Sequence, residues 1–257
     1  MHHCLRHSRH LALAVAASVA AGAALAQPKV VPDGDWRANI GLSASYASGN
    51  TESTNLSLKA EAVRATSADR VTANARALHG STDGTRTAAL LGFGGRYGYN
   101  VSARTYAFGQ ADYLRDELAN LKMRLSAAGG IGYKLIDEEK QNLDVFAGLG
   151  YSHEEYFDPT VVAGSLRTSY GHAEILLGQE SSHQLTDTTR FRQKLVLYPS
   201  LGDPGEFRGE FDAGIAVAIN RTMDLTVGVN YRYNSDPGTG LANSDLLVLT
   251  GVAVRIE

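Results

Sequence analysis

The side chains with the most chemistry to offer are charged, and they recur at every second position of long segments. Arg37, Lys59, Arg76, Arg96, Lys122, Arg124, Lys134, Arg192, Lys194, Arg208, Arg232 and Arg255 share their phase with glycine and small polar residues. The acids Glu61, Asp112, Asp144, Glu174, Glu210, Asp212 and Asp224 fall on the same phase. Gathered on one wall, these groups could do one of two things. Opposite charges on neighbouring segments could pair and close the space between them. Alternatively, the basic excess could line a narrow pore that favours anions. Both signs are interleaved on neighbouring strands, which favours the paired, closed lumen over the pore.

Two smaller constellations bear on metal binding and catalysis. In His153-Glu154-Glu155 only His153 and Glu155 can share a face of a strand, and two ligands do not make a metal site. A solvated rim is the simpler account. Ser169 or Ser182 with His172 or His183 would be the candidates for an outer-membrane lipid hydrolase. A serine nucleophile needs an adjacent base and a third residue to orient it, and no such setting is recognisable around either serine. The expectation is a protein without enzyme activity, cofactor or metal.

The elements that must position the charges are clearest from Phe207 to Tyr233. Phe207, Phe211, Ala213, Ile215, Val217 and Ile219 alternate with Arg208, Glu210, Asp212, Gly214 and Ala216. After a short Arg221-Thr222 turn, Met223, Leu225, Val227, Val229, Tyr231 and Tyr233 alternate with Asp224, Thr226, Gly228, Asn230 and Arg232. A period of two puts each set on its own face of a strand. One greasy and one charged face on long strands suit a sheet between lipid and water. An open sheet would leave unpaired backbone groups in lipid, so membrane insertion requires a closed barrel.

The same alternation recurs along the chain. Trp36, Ala38, Ile40, Leu42, Ala44 and Tyr46 open it, with a turn at Gly49-Asn50-Thr51. Segments around Leu56–Ala62, Val71–Ala77, Leu91–Tyr99, Met123–Leu135, Leu143–Tyr151, Leu166–Glu180, Phe191–Leu197 and Leu246–Ile256 follow. Thr105 to Arg115 is ambiguous, because Tyr106 and Phe108 share a face with Gln110 and Asp112. Either aromatics point inward there, or a bulge switches the register. The count comes to about twelve strands, even as in single-chain bacterial barrels. Pro159, Pro204 and Pro237 are expected in the turns after strands seven, nine and eleven, and Pro199 near the end of strand nine, since proline breaks a ladder hydrogen bond.

The N-terminus sets the compartment. Arg6 and Arg9 precede the apolar run Leu11 to Ala26, which ends Ala24-Leu25-Ala26, the pattern of a cleaved secretory signal peptide over residues 1–26. Cys4, the one cysteine, leaves with it. Losing Arg6 and Arg9 takes the net charge from −3 to −5, which argues against a nucleic-acid partner. The remaining residues 27–257 form one domain. The expected partners are outer-membrane lipid and, during biogenesis, the barrel assembly machinery. The end of the chain, Thr250-Gly251-Val252-Ala253-Val254-Arg255-Ile256, resembles the C-terminal strand signal of such barrels, although the usual final aromatic is absent.

Trp36 followed by Gly49-Asn50-Thr51 and a Leu-rich second strand, with Gly130-Ile131-Gly132-Tyr133 and Gly148-Leu149-Gly150-Tyr151, resembles the salt-induced outer-membrane proteins of Gram-negative bacteria. That family is defined by a domain of unknown function. The resemblance implies an outer-membrane location and a link to salt or envelope stress, and supplies no catalytic residues. The reading is thus an all-β, antiparallel, up-and-down transmembrane β-barrel, structural or a small anion-preferring pore. A membrane lipid hydrolase is the alternative, and a soluble periplasmic β-sandwich the third.

Overall fold

A computed structural model describes residues 30–47 and 53–256. The signal-peptide segment, Cys4 and the Gly49-Asn50-Thr51 turn lie outside the described residues. Twelve strands follow one another: β1 (Trp36–Ala47), β2 (Ser53–Ala65), β3 (Asp69–Thr82), β4 (Thr85–Asn100), β5 (Thr105–Asp116), β6 (Leu121–Asp137), β7 (Gln141–Val162), β8 (Ser165–Gln184), β9 (Thr189–Pro199), β10 (Phe207–Ala218), β11 (Met223–Asn234) and β12 (Ser244–Ile256). Each pairs antiparallel with its neighbours in sequence, and β1 pairs with β12 to close the cylinder. The seam is short, running from Ala38 opposite Ile256 to Leu42 opposite Val252. A single sheet closed on itself rules out the sandwich. Closure also gives every strand two neighbours, which is what lipid demands.

The alternation sorts as expected. Leu149, Leu246 and Ile131 are 65%, 66% and 62% exposed on the outside, while Leu176, Thr226 and Ala253 on the opposite phase are fully buried. Trp36, Tyr97, Tyr99 and Tyr133 ring one end of the outer belt, and Tyr151, Phe207 and Tyr231 the other. Aromatic rings at both limits of an apolar band sit where headgroups meet hydrocarbon. Every strand reaches the ~9–11 residues a tilted crossing needs. No described helix is long and apolar enough to cross a membrane.

The two ends of the barrel differ. At one end the connections are short turns, such as 66–68 and 138–140; at the other they include the long loops 200–206 and 235–243. The loop end also carries β7 and β8, of 22 and 20 residues, far longer than a crossing requires. Their tip is a two-residue turn with both Ala163 and Gly164 at positive φ, the type I′ geometry that matches strand twist.

Pro159 departs from expectation. It lies inside β7, where pairing with β8 lapses between Glu155 and Thr160, instead of in the following turn. Proline has no N–H to give a ladder, so it occupies the interruption. There Asn120 takes over: its Oδ1 accepts from the Asp158 N–H at 2.9 Å, its carbonyl accepts from the Phe157 N–H, and its Nδ2 donates to the Asp158 carbonyl. The bulge bends the hairpin over the mouth. Pro204 and Pro237 do lie in loops, and Pro199 ends β9.

Candidate functional site: the charged lumen

The ambiguous fifth strand resolves with its aromatics inward. Tyr106 and Phe108 of β5 join Phe146, Leu176 and Val196 in a buried cluster on the β5–β9 arc. Rings of this size fit inside because glycine faces them. A methyl group on Gly132 would run into the Tyr106 ring, and one on Gly178 into Phe146. The Arg96 guanidinium then lies over Phe108 at 4.0 Å and Phe146 at 4.4 Å from the ring centroids, a cation–π arrangement that fixes its orientation.

Beyond this cluster, towards the loops, paired charges narrow the lumen. Arg124 Nε donates to Glu154 at 2.7 Å, and the Tyr156 hydroxyl donates to the same carboxylate at 2.6 Å. Arg208 reaches Glu174 at 2.5 Å and donates to the Ser152 hydroxyl, which itself donates to Glu174 at 3.0 Å. Arg232 bridges Asp116 and Asp245 at 3.0 and 3.2 Å. Above these pairs Leu114, Leu121, Tyr156 and Val162 pack together. Val162 belongs to the tip of β7, so the hairpin itself caps the mouth. Two bonds hold it from across the barrel: Asp236 accepts from the Ala163 N–H at 2.7 Å, and Thr160 Oγ1 accepts from the Thr239 N–H at 3.1 Å.

Open space reaches from Leu114, Arg124, Glu174 and Arg208 past the cluster towards the short turns. This cavity, of about 720 Å³, is lined by Lys59, Arg76, Arg96, Arg124, Arg192, Lys194, Arg208, Glu210 and Asp212 of the expected set. Its wall includes Ser67, Asn100 and Asp137 at the short-turn end, so it extends to that rim. Asp212 accepts from Asn230 at 2.8 Å. Lys134, Glu61, Asp112, Asp144 and Glu174 line the cavity as well, whereas Arg37, Arg232 and Asp224 are placed away from it. Arg37 pairs with Asp33 at 2.5 Å at the rim, Arg232 sits at the capped mouth, and Asp224 pairs with Arg255 at 3.3 Å. Outside the membrane, the Arg37 guanidinium holds the Asp33 carboxyl well below the usual carboxylate range.

Several lumen residues escape the sequence pattern as read. Arg70, Arg190 and Glu180 line the cavity. They continue the inward phases of β3, β9 and β8 past the points where the apolar partners thin out. Glu154 and Asp116 look like loop acids, yet both are buried and ion-paired. With these added, the cavity lining carries ten basic and nine acidic residues, so the wall is less basic than the alternation suggests. Lys122 is another correction: a bulge between Leu121 and Met123 turns it to the exposed rim, where it meets Glu155 at 3.2 Å.

The hydrolase candidates do not converge. Ser169 is exposed and opposite in phase to His172, whose ring stacks on Tyr170 with centroids 4.9 Å apart. Ser182 and His183 are adjacent and therefore face opposite ways, His183 stacking on Phe191. Ser182 and His172 share a phase but stand about 33 Å apart along β8 at strand rise. Among the described residues no group of three metal-ligating side chains comes together.

A closed antiparallel cylinder with an apolar belt, aromatic rims and a polar interior defines an outer-membrane β-barrel. Within that class, the chain belongs to the family described as "Protein of unknown function, DUF481", whose match covers residues 40–256. It is 24% identical over 157 residues to the uncharacterized protein YdiY of Escherichia coli (strain K12), a stretch that is 61% of this chain and 58% of that relative. The aligned stretch therefore spans little more than half the length of the curated relative. Similar solved structures include the NanC porin (TM-score 0.45, 10% identity, 85% of this chain and 96% of that one). The translocator domain of the autotransporter NalP from Neisseria meningitidis is similar too (TM-score 0.47, 12% identity, 86% and 88%).

Proposed function

We propose that this protein is a narrow outer-membrane pore for small charged solutes, preferring anions, and shut at its loop end by the β7–β8 hairpin. One observation carries the reading: the unmet demand inside the lumen is for hydrogen-bond acceptors. Among the described residues, buried side-chain atoms without a partner include Arg70 Nε, Arg96 Nη2 and two nitrogens of Arg192, and no carboxylate oxygen. A purely structural barrel would fill or pair such a space, since interiors tolerate few voids larger than a water molecule. Here charges of both signs stand around a cavity, where water or a passing solute can complete them. Lipid surrounds the belt, and the assembly machinery would read the β12 end during biogenesis. The link to salt or envelope stress rests on the family resemblance, and fits a pore that admits charged solutes.

The test is conductance in planar bilayers. We expect wild-type protein to be mostly closed, with brief anion-selective openings. Replacing Phe157–Thr168 by Asn-Gly should give steady conductance with the same selectivity. Silence from both proteins, or cation selectivity in the shortened one, would overturn the reading.

A further inference from the structure

The structure assigns an oxyanion-binding site to the short-turn half of the lumen, between Arg70, Arg96 and Arg192, for a small solute bearing a carboxylate or phosphate group; this deepens the pore reading and rests on it for its biological sense. Arg70 and Arg96 project from β3 and β4, while Glu180 and Arg192 come from β8 and β9 on the far side of the cylinder. The nearest approaches across the gap are long. Glu180 lies 4.0 Å from Arg70 and 3.9 Å from Arg96, beyond hydrogen-bond reach. One carboxylate is thus shared by two guanidinium groups and satisfies neither. Lys194 and Arg192 act on it as well. Glu61, a second acid at this level, is subject to Arg192, Arg70 and Lys194, and Asp144, opposite Glu180 in the β7–β8 ladder, is subject to Arg70 and Lys134. More cations than carboxylates converge on the same space.

The leftover donors have a direction. Arg70 Nε, Arg96 Nη2 and Arg192 Nε and Nη1 are buried without acceptors, and all three residues line the same cavity. Arg96 cannot swing away freely, because Phe108 and Phe146, set edge to face, both pack against its guanidinium group. A fixed guanidinium presents its N–H groups as a fork that suits a planar carboxylate or a phosphate edge. Seated there, an oxyanion would accept from Arg192 on one wall and from Arg96 and Arg70 on the other. Glu180 would compete with it for the same donors, tuning affinity towards release.

The measurement is isothermal titration calorimetry on folded, detergent-solubilised protein, with sodium phosphate and sodium acetate as separate probes against sodium chloride at matched ionic strength. Expected is saturable one-site binding of at least one probe, the arms telling phosphate from carboxylate. Arg192→Gln should weaken it about tenfold or more, the loss typical of a hydrogen bond between charged groups. Glu180→Gln should tighten it, which a merely structural role for these residues would not do. Heat-modifiable gel mobility reports whether each variant is folded, and Arg70→Gln on the opposite wall serves if Arg192→Gln is not. Absence of saturable heat with both probes, or binding unchanged in the folded arginine variant, overturns the site. Because binding is read without conductance, a silent bilayer with intact binding would sink the pore and leave the site standing.

Discussion

The two halves of the lumen are walled by the same strands with the same alternation, yet they solve their charges differently. Towards the loops, each buried acid has its own arginine within 3.0 Å: Glu154 with Arg124, Glu174 with Arg208, Asp116 with Arg232. Towards the short turns, Glu180 has two arginines at the edge of range, and Arg192 has nitrogens with no acceptor. The first arrangement holds a shape. The second is compatible with traffic, because groups left between partners can be completed by whatever enters. Inward charge therefore does not define a pore; the distance between charges does.

The sharpest way to break this comparison is to remove one acid from each half. Glu174→Ala would leave Arg208, whose side chain is 12% exposed, without its buried carboxylate partner beside Ser152. Breaking a buried pair by deleting one partner costs about 3–5 kcal/mol. Glu180→Gln should cost less than about 1 kcal/mol, since its contacts are long and its surroundings open. Reversible urea unfolding in lipid vesicles would compare them. Equal losses would mean that the halves are not distinct.

The division was only partly legible in the chain. Alternation is a local property, so the twelve strands, their outward faces and residues such as Lys59, Arg76 and Lys194 could be read from neighbours two positions away. What alternation cannot carry is which strands face each other across the lumen. Arg70 and Arg96 meet Glu180 only because the sheet closes, and Glu180 lies in the stretch where β8 loses its apolar rhythm. Glu154 resembled a loop acid because β7 runs on past the membrane, and Pro159 hid that continuation. Tyr106 and Phe108 were undecidable because an inward ring needs an opposing gap. Register supplies it: Tyr106 lies opposite Gly132, and Phe108 opposite Gly130.

The aromatic cluster separates the halves, and its fit against glycine gives the next test. Gly178→Ala would drive a methyl group into the Phe146 ring, and overpacking of this kind costs about 1–3 kcal/mol. Adding Phe146→Leu should recover most of that loss, since the offending ring is then gone. Unfolding of the two single variants and the double variant forms a complete cycle. Additive losses would show that the ring and the glycine are not matched, and that the boundary between the halves lies elsewhere.

The smallest effect belongs to the cap. Glu206, in the loop between β9 and β10, has its carboxyl raised above the usual glutamate range by burial and then by Asp236 and Asp203, with His172 and Arg167 opposing. Asp236 is also the acceptor that pins the hairpin tip through the Ala163 N–H. A folded-state pKa above the unfolded value of about 4.3 means that the closed form binds the proton more readily. Closure should therefore strengthen as pH falls from neutrality through that raised value, and weaken as it rises back. These groups are partly exposed, so screening limits the change to about twofold to fivefold in the opening equilibrium. Hydrogen exchange at the Ala163 amide, corrected for its intrinsic pH dependence, reads it directly. Glu206→Gln should hold the tip in its acid-like state at every pH and remove the dependence. A dependence that persists in that variant would assign the effect to another group and detach the cap from its acidic loop.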